Sequence, residues 1–304
     1  MRSEEQEFLA GYDMTKYERP SVAADVVVFA ILPDGERSSI RRIQRKKLKV
    51  LLIKRGGFPY KGCWAIPGGF CNKGEDVIDS ARRELFEETG IENAYVNLVG
   101  VYGKPGRDPR GWIISSTYMA LMNGENCELK AGDDARDARW FTVDLRDISD
   151  EDSSADGSTF RGSVLNESDK GDRYRLTLSD SKAGIKLVAL LRRTDMSACG
   201  LSSDSYDIEE CDGLAFDHAR IITEAVLGLR KAVKLDPEVA FGLISDSFTL
   251  TELQKVYEQV LSRGLTAPNF RRKIADYVEE TDGVREGEGF RPAKLFRHKK
   301  HEIV

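Results

Sequence analysis

The segment GFCNKGEDVIDSARRELFEETGI, residues 69–91, decides the reading of this chain. Asp76 to Thr89 has helical spacing, and Gly90 stands where a helix ends in a left-handed residue. Within it Glu84, Glu87 and Glu88 occupy positions i, i+3 and i+4, which puts three carboxylates on one helix face. Like charges so close repel, and a divalent cation among them would remove the repulsion. Ligation by carboxylates alone suits a hard ion such as Mg²⁺ or Mn²⁺. Val77, Ile78, Ala81 and Leu85 lie beside this face, so the carboxylates sit at a core edge where a pocket can form. For the three glutamates by themselves, an acidic solvated helix face is an equally open reading.

Upstream, Ser21 to Leu32 (SVAADVVVFAIL) reads as a buried strand and Val50 to Lys54 as a second, with a basic stretch, Arg37 to Lys49, between them. That stretch is either a solvated hairpin or a polyanion contact. Downstream, Tyr95 to Tyr102, Trp112 to Met122 and Arg139 to Val143 read as strands. Strands around one central helix predict an α/β sandwich over residues 1–148. The charged loop Gly103 to Gly111 carries Arg107 and Arg110, either as phosphate ligands or as members of a polar hairpin turn. Trp112 either stacks on a base or opens a strand in the core.

From Ser149 to Gly171 the composition is that of a linker. Tyr174 to Leu178 and Ile185 to Leu191 read as a β-hairpin inserted between two domains, and a second polar stretch, Asp195 to Asp212, leads out of it. The residues from 213 to 304 are helical in pattern: His218 to Val233, Pro237 to Ile244, Leu250 to Leu261 and Ala267 to Val278. Thr249 and Glu252 make a capping box at the start of the third. The last two form a helix-turn-helix, with Phe270, Ile274, Tyr277 and Val278 turned inward, Arg271 and Arg272 outward and Lys273 to the side. Adjacent arginines near the start of such a helix suit major-groove entry and phosphate contact, although a small helical bundle can share the pattern. A basic strand, Phe290 to Arg297, would complete a wing. His218 reads as structural, and His298 and His301 as solvated members of a basic tail.

The 304 residues carry a formal net charge of -5 and 40% hydrophobic residues, the balance of a globular protein with room for two domains. No apolar run is long enough to span a bilayer, and the acidic start has no signal-peptide core, so a cytoplasmic location and no membrane partner are expected. Cys63, Cys71, Cys127, Cys199 and Cys211 are scattered, which suits reduced thiols and argues against zinc.

Gly69, Glu75, Arg83, Glu84, Leu85, Glu87, Glu88, Gly90 and Ile91 together match the Nudix signature. The chain here resembles the Nudix superfamily, whose members cleave nucleoside diphosphates linked to another moiety. The resemblance implies that Glu84, Glu87 and Glu88 hold the metal and that Arg83 positions them, these four forming the catalytic set. It implies that Gly68 and Gly69 let the backbone approach metal and phosphates, with Arg107 and Arg110 on the substrate, since that loop resembles the one in ADP-ribose pyrophosphatases. The general base stays open between Glu87 or Glu88 and a later carboxylate, Asp133 or Asp134. Residues 214–219, 248–258, 269–274 and 291–296 resemble the C-terminal domain of the Nudix-related transcriptional regulators of NAD metabolism. That resemblance implies an α/β (α+β) protein: an N-terminal Nudix α/β/α sandwich with a mixed sheet, an inserted β-hairpin region over 149–212 and a C-terminal winged helix-turn-helix. It further implies ADP-ribose or a relative as ligand, double-stranded DNA read through Arg271, Arg272 and Lys273, and a homodimer. The insert is larger than the family needs and the box is intact where many of these regulators have lost it. Three readings follow: a regulator that also hydrolyses its ligand, a regulator that only senses it, and a plain ADP-ribose pyrophosphatase.

Overall fold

The strand Ser21–Pro33 is apolar on both of its faces, and the architecture follows from that. In the computed structural model, which describes residues 3–34, 46–92, 96–124, 137–149, 173–198, 201–287 and 290–299, the chain opens with α1 (Glu4–Gly11). The buried strand β1 (Ser21–Pro33) follows, then β2 (Lys46–Lys54), β3 (Trp64–Ala65) and β4 (Gly68–Phe70). Next come α2 (Val77–Thr89), β5 (Val96–Tyr102), β6 (Ile113–Met122) and β7 (Ala138–Asp147). Three further strands are β8 (Arg173–Asp180), β9 (Ile185–Ala198) and β10 (Leu201–Cys211). The remainder comprises α3 (His218–Leu235), a 3-10 turn Pro237–Leu243, α4 (Leu250–Leu261), α5 (Ala267–Ile274), a 3-10 turn Ala275–Tyr277, and the strand pair β11 (Val278–Gly287) and β12 (Phe290–His298).

Among the described residues ten strands form one mixed sheet, in the order β10-β9-β8-β7-β2-β1-β6-β5, with β3 on β2 and β4 on β1. The β1–β6 pair is parallel, and the other pairs are antiparallel. Successive side chains of a strand point to opposite faces. Accordingly Ala24, Val26 and Val28 of β1 pack with Ala81 and Leu85 of α2, while Val27, Phe29 and Ile31 join the larger core that contains α3 and α4. The α2 boundaries follow from its caps: the Asp76 carboxylate accepts from the Ile78 N–H, and Gly90, at φ 74°, closes the last turn.

The inserted region differs from expectation. Instead of a hairpin standing between two domains, β8, β9 and β10 extend the first sheet beyond β7. The stretch expected as a polar lead-out, Asp195–Asp212, contains the end of β9 and all of β10. A strand covered on one face needs an apolar residue only at alternate positions, and here Tyr206 supplies it, buried and edge-on against Tyr174 at 5.6 Å between ring centroids. The extended sheet curls around α3. Tyr102, at the end of β5, donates to Glu224 of α3 at 2.7 Å, and Lys104 just beyond pairs with Asp207 of β10 at 2.9 Å. Inside this curl Ile221, Ile222, Ala225, Val226, Leu229 and Val233 of α3 are all buried.

At the C-terminal end α4 begins with a reciprocal capping box between Thr249 and Glu252. Phe270 and Ile274 of α5 are buried, whereas Arg271, Arg272 and Lys273 are exposed. The helix expected to run to Val278 stops at Ile274, because Val278 and Glu279 are recruited to pair with His298 and Arg297. Phe248 exchanges two backbone hydrogen bonds with Phe296, which ties this two-stranded wing to the start of α4. Lys294 pairs with Glu280, and Arg297 with Glu279, across the wing. His298, expected in a solvated tail, is stacked on Phe241 at 4.1 Å between centroids.

If β8 belongs to the main core, its inward side chains should matter as much as those of β1. Leu176 is 1% exposed within the same cluster as Phe29 and Leu229. Leu176→Ala should cost about 2–5 kcal/mol in denaturant unfolding, and a loss below about 1 kcal/mol would mean that the extension packs independently.

Candidate functional site

The glycines before α2 have a steric reason to be glycine. A Cβ on Gly69 would lie 2.4 Å from the Glu84 carboxylate, and one on Gly68 would lie 2.2 Å from Asp25 Oδ1. The backbone of β4 therefore runs directly against two carboxylates. A third reaches it from the end of α2: Glu88 accepts from the Gly68 N–H at 2.9 Å. Arg83 organises the exposed side of the cluster. It donates to Glu75 at 2.8 Å, Glu84 at 2.7 Å, Glu87 at 3.1 Å and the Phe70 carbonyl at 3.1 Å. The Arg83 hydrogen bond holds the Glu75 carboxyl down to about 2.

Asp25 was not among the sequence candidates, although a lone charge inside an apolar strand is a legible signal. It is buried on β1 and accepts a hydrogen bond from Ser115. Burial pushes its carboxyl up to about 6 despite that bond, with Glu84 adding to the rise. Burial likewise pushes Glu88 up to about 8, opposed by the Gly68 N–H and reinforced by Glu84 and Asp25. A cation would relieve this crowding, so the all-oxygen donor set of Glu84, Glu87 and Glu88, with Asp25 adjoining, fits a hard divalent ion. Among the described residues no three carboxylates yet stand as a finished ligand cage; Arg83 holds Glu84 and Glu87 to its own side. Asp133 and Asp134, the other candidates for a base, lie outside the described residues.

Next to the carboxylates is a cleft lined by Asp25, Gly68, Gly69, Phe70, Arg55, Arg107, Arg110, Phe216 and His218. The two arginines expected to meet phosphate, Arg107 and Arg110, both reach it, and so does Arg55, which sequence reasoning did not single out. Each is held by an acceptor. Arg107 forms a two-pronged pair with Asp217 at 2.9 and 2.7 Å, Arg110 folds onto Asp108 at 2.7 Å, and Arg55 donates to the Pro59 carbonyl at 2.8 Å. Phe216 supplies an aromatic floor, with the Arg55 guanidinium 4.8 Å and that of Arg110 5.5 Å from its ring centre. Trp112, one of whose expected roles was a core residue, is 55% exposed; its backbone pairs with Ser21 while its ring stays outside.

His218 is buried, and its Nδ1 accepts from the Ile66 N–H at 3.1 Å. Burial lowers its pKa to about 3, so the ring is neutral. In the unfolded chain a histidine takes a proton below about 6.5. Stability carried by the neutral ring is thus present above that value and drains away as pH falls toward 3. Between pH 7 and pH 5 His218→Gln should lose about 2 kcal/mol less stability than the parent; equal losses of unfolding free energy in the two proteins would contradict this account of the ring.

Known proteins match this arrangement. The NUDIX domain model matches residues 36–157 and the NrtR DNA-binding winged helix domain model matches residues 240–298. The chain is 27% identical over 299 residues to the ADPR responsive transcriptional repressor NtrR of Acinetobacter baylyi, covering 97% of this chain and 88% of that one. It is 41% identical over 134 residues to the ADP-ribose pyrophosphatase of Methanocaldococcus jannaschii, covering 43% of this chain and 69% of that enzyme. Among solved structures, a MutT/nudix family protein from Enterococcus faecalis is similar over 98% of this chain and 94% of its own, with a TM-score of 0.66 and 28% identity.

Proposed function

Because the chain belongs to the Nudix superfamily and carries the winged helix of the NrtR regulators, we propose that it is a transcriptional regulator of NAD metabolism whose grip on double-stranded DNA responds to ADP-ribose or a related nucleoside diphosphate derivative. The observation that carries this reading is a continuous hydrophobic core that includes both the sheet behind the carboxylate cleft and the helices α4 and α5. A pocket for a diphosphate and a surface for DNA are thereby parts of one packed body. The similarity to the Acinetobacter repressor along nearly the whole chain supports the same reading.

In this reading Arg55, Arg107 and Arg110 receive the diphosphate and Phe216 offers its ring to a base or ribose. Arg271 and Arg272, exposed on α5, meet DNA, and Lys273, whose ammonium lies over the Tyr257 ring at 5.5 Å, stands at the edge of that surface. No helix among the described residues is long and apolar enough to cross a membrane. A palindromic operator would be read by a homodimer.

The undamaged carboxylate set favours turnover as well. A bound Mg²⁺ or Mn²⁺ would neutralise diphosphate charge and lower the pKa of a water. The chain's own part is to hold Glu84, Glu87 and Glu88 at that position, to orient them through Arg83, and to offer Glu87 or Glu88 as acceptor for the water's proton.

Two measurements separate the activities. The parent protein should retard duplex DNA from its own gene neighbourhood at low salt and release it with ADP-ribose. Arg272→Ala should weaken that binding about tenfold and lower the salt slope by about one. No retardation by the parent at low salt would end the regulator reading. Separately, Mg²⁺-dependent release of AMP from ADP-ribose should fall at least about 100-fold in Glu88→Gln. A parent without turnover on a panel of dinucleotides would leave a sensor alone.

A further inference from the structure

Asp217 stands at the N-cap of α3, yet its side chain makes no capping hydrogen bond. Aspartate is among the residues that cap helices best, so its carboxylate has been drawn elsewhere. It grips the Arg107 fork through Nε and Nη2, in a pair whose side chains are 6% and 15% exposed. A bidentate guanidinium–carboxylate contact so well shielded fixes direction as well as distance. It also leaves one amino group of the Arg107 fork unused by Asp217, on a residue that lines the cleft.

The neighbours of Asp217 tie it to the carboxylate site. Phe216 is held at φ 53°, in the left-handed region that favours glycine, with its ring in the cleft. Trp64 N–H donates to Gly213, Ala215 N–H donates to Trp64, and Ile66 N–H donates to His218. The entry to α3 is thus stitched to β3 and the residues just before Gly68 and Gly69. Toward its other end α3 is keyed to the helix-turn-helix. Buried Arg230 donates to the Val260 carbonyl at 3.2 Å and to Ser262 Oγ at 2.8 Å, at the end of α4, and to the Leu145 carbonyl of β7 at 3.1 Å. Between these two ends lies an 18-residue helix that is buried along its length.

We propose that Asp217 is a positioning residue: it aims Arg107 at the diphosphate and, through α3, passes the occupancy of the cleft to the helix-turn-helix. The inference rests on the sensing reading above. A phosphate oxygen arriving on Arg107 divides the guanidinium between two anions. The alternative for Asp217 is to turn back from ψ 21° to an extended cap conformation and accept from the Ala219 and Arg220 N–H groups of the first turn of α3. The two arrangements, Asp217 on Arg107 and Asp217 capping α3, give the helix a different seat in the empty and the filled cleft.

The test uses the full chain, ADP-ribose as probe and a duplex from its own promoter region. Calorimetry sets the nucleotide concentration well above the affinity of each variant. In the parent, saturating ADP-ribose should weaken DNA binding at least about tenfold. Asp217→Asn should bind DNA within about twofold of the parent without nucleotide but change less than about twofold on saturation, and Asp217→Glu should recover part of the response. A merely structural role would shift nucleotide affinity or melting and leave the ratio of the two DNA affinities intact. Release of DNA from Asp217→Asn as complete as from the parent overturns the coupling while leaving the sensing reading standing. A parent whose DNA complex ignores ADP-ribose overturns both. If Asp217→Asn does not fold, amide hydrogen exchange on the parent decides. Altered protection at residues 214–222 and 258–263 on adding ADP-ribose supports the coupling, and unchanged protection there overturns it.

Discussion

The wide apolar stripe of α3 has to be covered, and this requirement organises the molecule. Ile221, Ile222, Ala225, Val226, Leu229 and Val233 form that stripe, while Gly228, Lys231 and Lys234 on the other side stay exposed. The sheet answers by curling, with β5 and β10 bent toward each other until Lys104 meets Asp207. The remaining side is covered by α4 and the 3-10 turn before it. Arg230 can be buried there only because three acceptors are in place, the Leu145 and Val260 carbonyls and Ser262 Oγ.

The charge pattern of the site has a common design. Arg83, Arg107 and Arg110 are each clasped by at least one carboxylate, from Glu75, Asp217 and Asp108 respectively. Each guanidinium is therefore aimed before a ligand arrives, and little side-chain entropy is left to lose on binding. The carboxylates that face the glycines have the opposite character. Asp25 and Glu88 are driven toward their neutral forms by burial. Fixed cations beside under-compensated carboxylates suit a diphosphate arriving together with a divalent cation.

The sequence makes α2 legible because one helix carries all of its local signals: an Asp cap, a closing glycine and three glutamates on one face. The same applies to the capping box of α4. Asp25 is legible in principle, as a charge in a strand that is otherwise apolar. Arg107 can be named as a candidate anion ligand from its loop, but its partner Asp217 lies on another segment and no local periodicity links them. Phe216 is hidden for the same reason. β10 escaped because one face of a strand needs few apolar residues, and Tyr206 with Ile208 is too short an alternation to mark a period. The end of α5 moved because pairing of Val278 with His298 outweighs local helical spacing, a tertiary effect that a window of residues does not contain. Trp112 and His298 exchanged the environments expected for them: the ring of one is outside the core and that of the other is stacked on Phe241.

The position of Arg230 has a consequence for how such a protein can be divided. The helix-turn-helix rests on α3, and α3 rests inside the curled sheet. A chain cut after β10 would leave the concave face of the sheet bare, and a chain begun at α3 would carry an uncovered apolar stripe. Neither piece inherits a closed surface. The helix-turn-helix here is not a cassette that could be lifted onto another protein without carrying α3 and its socket along.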